Sequence, residues 1–263
     1  MKSKQQMKDK DKMDLNKIYF GDCLGLMSFI PFVADKSIDL ILCDLPYGTT
    51  ACKWDVIIPF EPLWEQYKRI IKDNGAIVLT ASQPFTSALV MSNIKMFKYE
   101  WIWDKMRGYG HLNSKIMPMV QTENILVFGK SINYYPQNLI AGKFKNDRPA
   151  KHRQETSDIY GKEKGIGVSK NSNYPTNLLS FAKDGYGKNN FHPTQKPVAL
   201  FEYLIKTYTN EGETVLDNCA GSGTTAIACI NTNRNYICME KDKKYFDVME
   251  KRIENHLALQ TLF

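Results

Sequence analysis

Residues 38–43 read Ile-Asp-Leu-Ile-Leu-Cys, an almost unbroken apolar run. A strand with one wet face alternates apolar and polar side chains. A strand covered on both faces does not, and that burial is typical of parallel sheets sandwiched between helices. Parallel strands need long crossovers, so the neighbouring sequence must supply helices. Residues 60–72 carry Leu63, Trp64, Tyr67, Ile70 and Ile71 at helical spacing and run into Asp73-Asn74-Gly75, a helix-ending sequence. The apolar run 76–80 predicts a second buried strand and residues 84–94 a second helix. Further strands are expected at 18–20, 99–103 and 124–128, the last two as an antiparallel pair. After residue 191 the alternation resumes with helix 197–209, strand 214–217, helix 224–231, strand 235–240 and a final helix from Lys243. This order predicts an α/β protein with a doubly wound, mostly parallel sheet.

With 43% hydrophobic residues, the 263-residue chain is too apolar for intrinsic disorder. No stretch approaches the roughly 18 uninterrupted apolar residues of a membrane span. Six cysteines stand at 23, 43, 52, 219, 229 and 238 without a Cys-x-x-Cys pair. That spacing speaks against a zinc site, so no metal is expected, and predicts reduced thiols in a cytoplasmic protein. Residues 1–13, rich in Lys, Asp, Gln and Met, read as a flexible tail rather than a signal peptide. The net charge of +7 is unevenly placed: residues 104–190 hold fourteen Lys/Arg against seven Asp/Glu, and the rest of the chain is neutral. A located basic surplus is an electrostatic footprint for a polyanion.

Residues 214–226 combine a strand, a Gly221-Ser222-Gly223 turn and a helix start. Glycines let the backbone approach a ligand closely, and a helix start offers free N–H donors. Glu240 ends the next strand, 19 residues after Gly221. A carboxylate there accepts the two hydroxyls of an adenosine ribose, so an adenosine-bearing ligand is expected. A dinucleotide is one option, since Gly221, Gly223 and Ala226 fit Gly-x-Gly-x-x-Ala, but only 23 residues follow Glu240. A second motif, Asp44-Leu45-Pro46-Tyr47, follows the run 38–43 directly. Strand ends face the ligand crevice of an open α/β sheet. A carboxylate, a carbonyl held by the next proline and an aromatic face therefore converge there.

Asp44-Leu45-Pro46-Tyr47 resembles the Asp-Pro-Pro-Tyr motif of the S-adenosylmethionine-dependent DNA amino-methyltransferases, and the likeness extends along the chain. Gly21-Asp22-Cys23 with residues 38–47 is similar to the family's opening, and Glu123 with 124–128 to its Glu-Asn-Ile-Leu-Val-Phe strand. Residues 192–197 resemble the segment before its cofactor half, and 215–225 its cofactor loop. Catalytic motif first, recognition region next and cofactor motif last is the order of the family's β class. The resemblance implies a seven-stranded class I methyltransferase (Rossmann-like) sheet, circularly permuted, with a loop-rich basic insert. It places a catalytic half at 14–128, a target-recognition insert at 129–191 and a cofactor half at 192–263. It also implies S-adenosylmethionine as cofactor and double-stranded DNA as partner, with a homodimer and a cognate restriction endonuclease as further expectations.

An exocyclic amino nitrogen is a poor nucleophile because its lone pair is delocalised into the ring. Two acceptors gripping its hydrogens, Asp44 and the Leu45 carbonyl, favour a pyramidal nitrogen facing the sulfonium methyl. Tyr47, after Pro46, is placed to stack on a base extruded from the duplex. Leu45 stands where the family has proline, a change that keeps the carbonyl. Asp at the first position is typical of the N6-adenine enzymes, so transfer to adenine N6 is expected. N4-cytosine methylation and a catalytically silent DNA-binding relative are the alternatives.

For the cofactor, the resemblance points to Asp22, Cys23, Thr194, Lys196, Asp217, Cys219, Ala220, Gly221, Ser222, Gly223, Thr224, Thr225, Glu240 and Lys241. Asp22 is read as acceptor for the cofactor's adenine or as a turn cap. Lys196 with Thr194 is read as partner of the cofactor's carboxylate, or Lys196 as a surface lysine. Asp217 faces the cofactor's amino group or shapes the loop. Trp54-Asp55 closes over the flipped base, or Trp54 belongs to the core. Arg107, Lys143, Lys145, Arg148, Lys151 and Arg153 are the candidate DNA contacts, interleaved with aromatics that include Tyr109, Phe128, Tyr134 and Phe181.

Overall fold

Burial on both faces, expected for residues 38–43, organises the fold of the computed structural model, which describes residues 14–28, 33–50, 52, 55–138, 140–141, 171–184 and 195–260. The larger of two units takes in Met1–Tyr135 and Asn177–Phe263. It begins with β1 (Lys17–Phe20), α1 (Cys23–Ser28), β2 (Ile38–Cys43), α2 (Phe60–Ile70), β3 (Ile71–Ala81) and α3 (Phe85–Ser92). The long strands β4 (Phe97–Tyr109) and β5 (Val120–Phe128) follow. The smaller unit, Pro136–Thr176, pairs β6 (Ile140–Ala141) antiparallel with β7 (Asn171–Ser172). The larger unit resumes with β8 (Leu178–Ser180), α4 (Val198–Tyr208), β9 (Thr214–Asp217), α5 (Thr224–Asn231), β10 (Asn235–Glu240) and α6 (Lys243–Gln260).

Among the described residues the main sheet has eight strands in the order β1-β10-β9-β2-β3-β5-β4-β8. Only β5 runs against the others, antiparallel to both β3 and β4. The winding direction reverses between β9 and β2, which pair at Leu40↔Val215 and Ile41↔Leu216. Strands from the two ends of the chain thus meet at the topological switch point, where open α/β sheets bind ligands.

Every residue of β2 is buried, and its side chains alternate between two cores. Leu40 and Leu42 pack with Leu200, Leu204, Ala226, Met249 and Ile253 from α4, α5 and α6. Ile41 and Cys43 pack with Met27, Leu63, Tyr67, Ile70 and Leu89 from α1, α2 and α3. Each fully buried Leu or Ile contributes about 1.5–3 kcal/mol.

Two local expectations change. The sheet has eight strands rather than seven, because Leu178 and its neighbours, expected in the insert, add to β4 in parallel at Ile102↔Leu178. Helix α2 stops at Ile70 rather than residue 72. The amides of Lys36 and Ser37 donate to the carbonyls of Arg69 and Ile70, and Ile71 already pairs with Ile38 in the sheet. Register then shifts between Ile38 and Leu40, beside Gly75, where a Cβ would meet the Asp39 carbonyl at 2.8 Å.

Candidate active site

Asp44 follows β2 and Asp217 ends β9, so adjacent strands deliver both motifs to one crevice. The crevice encloses about 1260 Å³, open mouth included, and is lined by Asp44, Leu45, Pro46 and Tyr47 together with the Asp217-to-Thr224 loop and Glu240. The catalytic and cofactor motifs therefore share one cleft.

On the catalytic side Asp44 Oδ1 accepts from Lys196 Nζ at 2.7 Å and, at short range, from the Thr80 hydroxyl. The Tyr47 hydroxyl lies 2.8 Å from Asp44 Oδ1, 2.9 Å from Thr80 Oγ1 and 2.9 Å from Glu123 Oε1. Asp44 Oδ2 has no hydrogen-bond partner among the described residues, which leaves it for a ligand's donor. Glu123 bridges Lys196 at 3.0 Å and Lys105 at 3.2 Å. Two carboxylates and two ammoniums thus balance in a mostly buried network, as desolvated charges require. Burial alone would raise the Glu123 carboxyl, but Lys196 and Lys105 outweigh it and hold the group well below the usual range. Burial would lower the Lys196 ammonium, yet Asp44 and Glu123 hold it above the ordinary lysine value. Burial, then Asp44 and Glu123, push the Tyr47 phenol well up, so it keeps its proton. Phe85 stacks on the Tyr47 ring with centroids 5.2 Å apart. Leu45 is buried in the core beneath the motif, an anchor that explains an aliphatic side chain at this position.

On the cofactor side Gly223 adopts φ +80°, and a Cβ there would meet Met249 at 2.7 Å, so only glycine fits before α5. Asp217 Oδ1 accepts from the Cys219 amide at 3.0 Å and Oδ2 from the Thr225 hydroxyl at short range. Both oxygens hold the loop, which favours its loop-shaping reading, and burial pushes this carboxyl up to about 7. Glu240 accepts from the amides of Gly221 and Asp242 at 2.8 and 2.7 Å, and burial raises it. Arg252 ties Ser222 and Thr224 down, donating to the Ser222 carbonyl at 3.0 Å. Asp22 is exposed and accepts from the Gly25 amide at 3.1 Å, as a turn cap does, while also lining the cleft with Cys23, Cys219, Ala220 and Lys241.

Lys196 is buried rather than a surface lysine: it lines the cleft together with the Gly221 loop, and its ammonium meets Asp44 and Glu123. Trp54, Thr194, Lys143, Lys145, Arg148, Lys151 and Arg153 lie outside the described residues. Arg107 is exposed near the end of β4. Phe128 is fully buried and Phe181 packs against the core, so neither is a DNA-facing aromatic. No sequence signal assigned a role to Thr80 or Lys105, and Asp55 was grouped with Trp54 as a closure over the flipped base. Asp55 accepts from the amides of Gly48, Thr49 and Thr50 and so shapes the loop after Tyr47.

Comparison with known proteins places this geometry. Type II methyltransferase M.HpaI of Haemophilus parainfluenzae is 28% identical over 251 residues, 89% of this chain and 73% of the relative. DNA adenine methyltransferase YhdJ of Escherichia coli (strain K12) is 27% identical over 270 residues, 93% of this chain and 85% of the relative. The crystal structure of an M1.HpyAVI–SAM complex is 25% identical and superposes with a TM-score of 0.61, covering 90% of this chain and 98% of that one. A family profile described as DNA methylase matches residues 38–251, from the first residue of β2 into α6, and so spans both motifs of the cleft. The chain belongs to the DNA methylase family.

Proposed function

We propose that the protein transfers a methyl group from S-adenosylmethionine to the N6 amino group of an adenine extruded from double-stranded DNA at a specific site. The observation that carries this reading is the shared cleft, into which Asp44 opens from one side and the Gly221 loop with Glu240 from the other. The donor set suits the cofactor. Each Glu240 oxygen takes one backbone N–H, and a carboxylate has room for further donors such as ribose hydroxyls. When bound, S-adenosylmethionine supplies an electrophilic methyl on a sulfonium centre.

The chain's own residues orient the nucleophile. Asp44 Oδ2 and the Leu45 carbonyl accept the two amino hydrogens, while three groups on Oδ1 fix the carboxylate's plane. Preorganised acceptors of this kind cost no reorganisation during the reaction. The surplus proton leaves the product nitrogen after transfer, so Asp44 need not act as a strong base. Tyr47 provides the stacking face. Adenine as target is supported by Asp44 at the motif's first position and by the similarity to the DNA adenine methyltransferase YhdJ.

The reading extends to a target-recognition insert at 129–191 and to a cognate restriction endonuclease, which the type II relatives support. A homodimer rests on the family resemblance, and a cytoplasmic location on the six free cysteines. Incubating the purified chain with unmethylated DNA and tritiated cofactor, then digesting to nucleosides, tests the core of it. Label is expected in N6-methyladenine. Label in N4-methylcytosine would overturn the adenine assignment, and no label in any nucleoside the whole reading.

A further inference from the structure

Glu123 belongs to the catalytic network, and its neighbours along β5 and β4 lead out of it. Since β5 is antiparallel to both β3 and β4, β4 points the same way as β2 and β3. The β4–β5 hairpin therefore projects from the edge of the sheet that carries Asp44. In register, Cys43 of β2 is level with Leu79, Leu126 and Glu100. Val120 stands six residues beyond Leu126, so the tip starts about 20 Å past that level. The stem is fixed: Lys105 pairs with Glu123 at 3.2 Å, and the ammoniums of Lys105 and Lys183 lie 5.8 and 4.7 Å from the Tyr109 ring centroid.

The tip has an unusual surface. Residues 110–122 are all exposed, yet they include Leu112 and Ile116, 87% and 83% exposed, with Met106, Met117 and Met119 beside them. Large apolar side chains clustered in water mark a contact surface. Residues 106–122 carry the exposed Arg107 and Lys115 and no Asp or Glu. A second copy of this chain would bring the same cations against themselves across a two-fold interface. A polyanion would not.

We propose that the hairpin tip, residues 106–119, is a wedge that enters the DNA duplex beside the cleft. Leu112 and Ile116 fill the gap left by the extruded base, and Arg107 and Lys115 take the flanking phosphates. The proposal rests on the reading of the cleft as a DNA methyltransferase site. Apolar wedges flanked by cations stabilise unstacked base steps in this way, and the cost they offset is smallest for a base that is already unpaired.

The test uses the full chain and a duplex bearing its site, identified by sequencing methylated DNA from cells that express it. Methyl transfer is measured with the target adenine paired and with it opposite an abasic position. Fluorescence of 2-aminopurine at the target reports extrusion. The double variant L112A/I116A is expected to lose about tenfold in rate and most of the fluorescence rise on the paired duplex. On the abasic duplex its rate should return to within about threefold of wild type, and L112F should stay near wild type on both. Equal loss on both duplexes, no loss on either, or a change of the protein from dimer to monomer by sedimentation would overturn the wedge. Wild-type protein that methylates neither duplex would instead refute the methyltransferase reading.

Discussion

The two sides of the cleft hold their carboxylates by opposite means. On the catalytic side Asp44 and Glu123 are matched by the ammoniums of Lys196 and Lys105. On the cofactor side Asp217 and Glu240 meet backbone amides and a hydroxyl, and neither forms an ion pair among the described residues. Under the proposed function the difference follows from the task. A carboxylate that must present one oxygen to a weakly nucleophilic amine gains from side chains that fix its plane and balance its charge. A carboxylate that receives ribose hydroxyls gains from keeping its charge uncompensated, because acceptors bind neutral donors more strongly when ionised. Glu123, on the Asp44 side, is held low, whereas Asp217 is pushed up to about 7.

The largest effect is expected at Asp44. Asp44→Ala should lower methyl transfer about a thousandfold, the order lost when a preorganised polar group at a reacting centre is removed. Cofactor affinity should stay within about threefold, because the Gly221 loop is untouched. Single-turnover transfer and equilibrium binding check the two halves of this statement, and transfer at the wild-type rate would remove Asp44 from catalysis. Lys196→Met comes next. It leaves Asp44 without a cation and Glu123 with Lys105 alone in a mostly buried site, which should cost about 3–5 kcal/mol of stability in urea unfolding. A loss under about 1 kcal/mol, as for an exposed pair, would mean that the network is solvated and the contrast false.

Much of this was legible because the signals are local. The run 38–43 and the segment 214–240 declare strand, turn and helix through side-chain period and glycine placement, and strand ends in a parallel sheet point at ligands. What was missed depends on distant partners. The bond of Lys196 to Asp44, 152 positions away, is a pairing that no local pattern encodes. Strand β8 is three residues among Asn and Pro, and it exists because the long edge of β4 offers unpaired backbone groups. Phe128 and Phe181 had the composition of a nucleic-acid surface, yet Phe128 packs on Trp64 and Phe97, and Phe181 on Tyr203. Glu123 was visible as the charge opening the stretch that resembles the family's strand, but its pairing with Lys105 and Lys196 was not.

The pH dependence of stability should separate the two sides. Asp217 binds its proton more tightly folded than unfolded, so its contribution is complete below about pH 4 and is lost as pH rises toward 7. Glu123 acts in the other sense: its contribution is present above the usual carboxylate range and is lost as pH falls below it. Asp217→Asn deletes the first effect alone. Relative to wild type the variant should gain by up to a few kcal/mol between pH 4 and 7 and change no further above that. Parallel melting curves across this window would show that Asp217 ionises normally.

The smallest effect tests whether the sides act independently. Glu240→Gln keeps one acceptor oxygen and the side chain's size, but it removes the charge that ribose hydroxyls would meet and places an NH₂ against an amide of the Gly221 loop. Cofactor affinity should fall about tenfold, the difference between a hydrogen bond to a charged and to a neutral acceptor. Transfer at saturating cofactor should stay within about threefold, since Asp44, Lys196 and Glu123 keep their bonds. Asp44→Ala is expected to show the reverse pattern, intact binding with lost transfer, so the pair of variants would form a double dissociation. If Glu240→Gln instead slowed the saturated rate as severely as Asp44→Ala, the loop would be setting the geometry of the catalytic carboxylate. The cleft would then work as one unit rather than as two differently held sides.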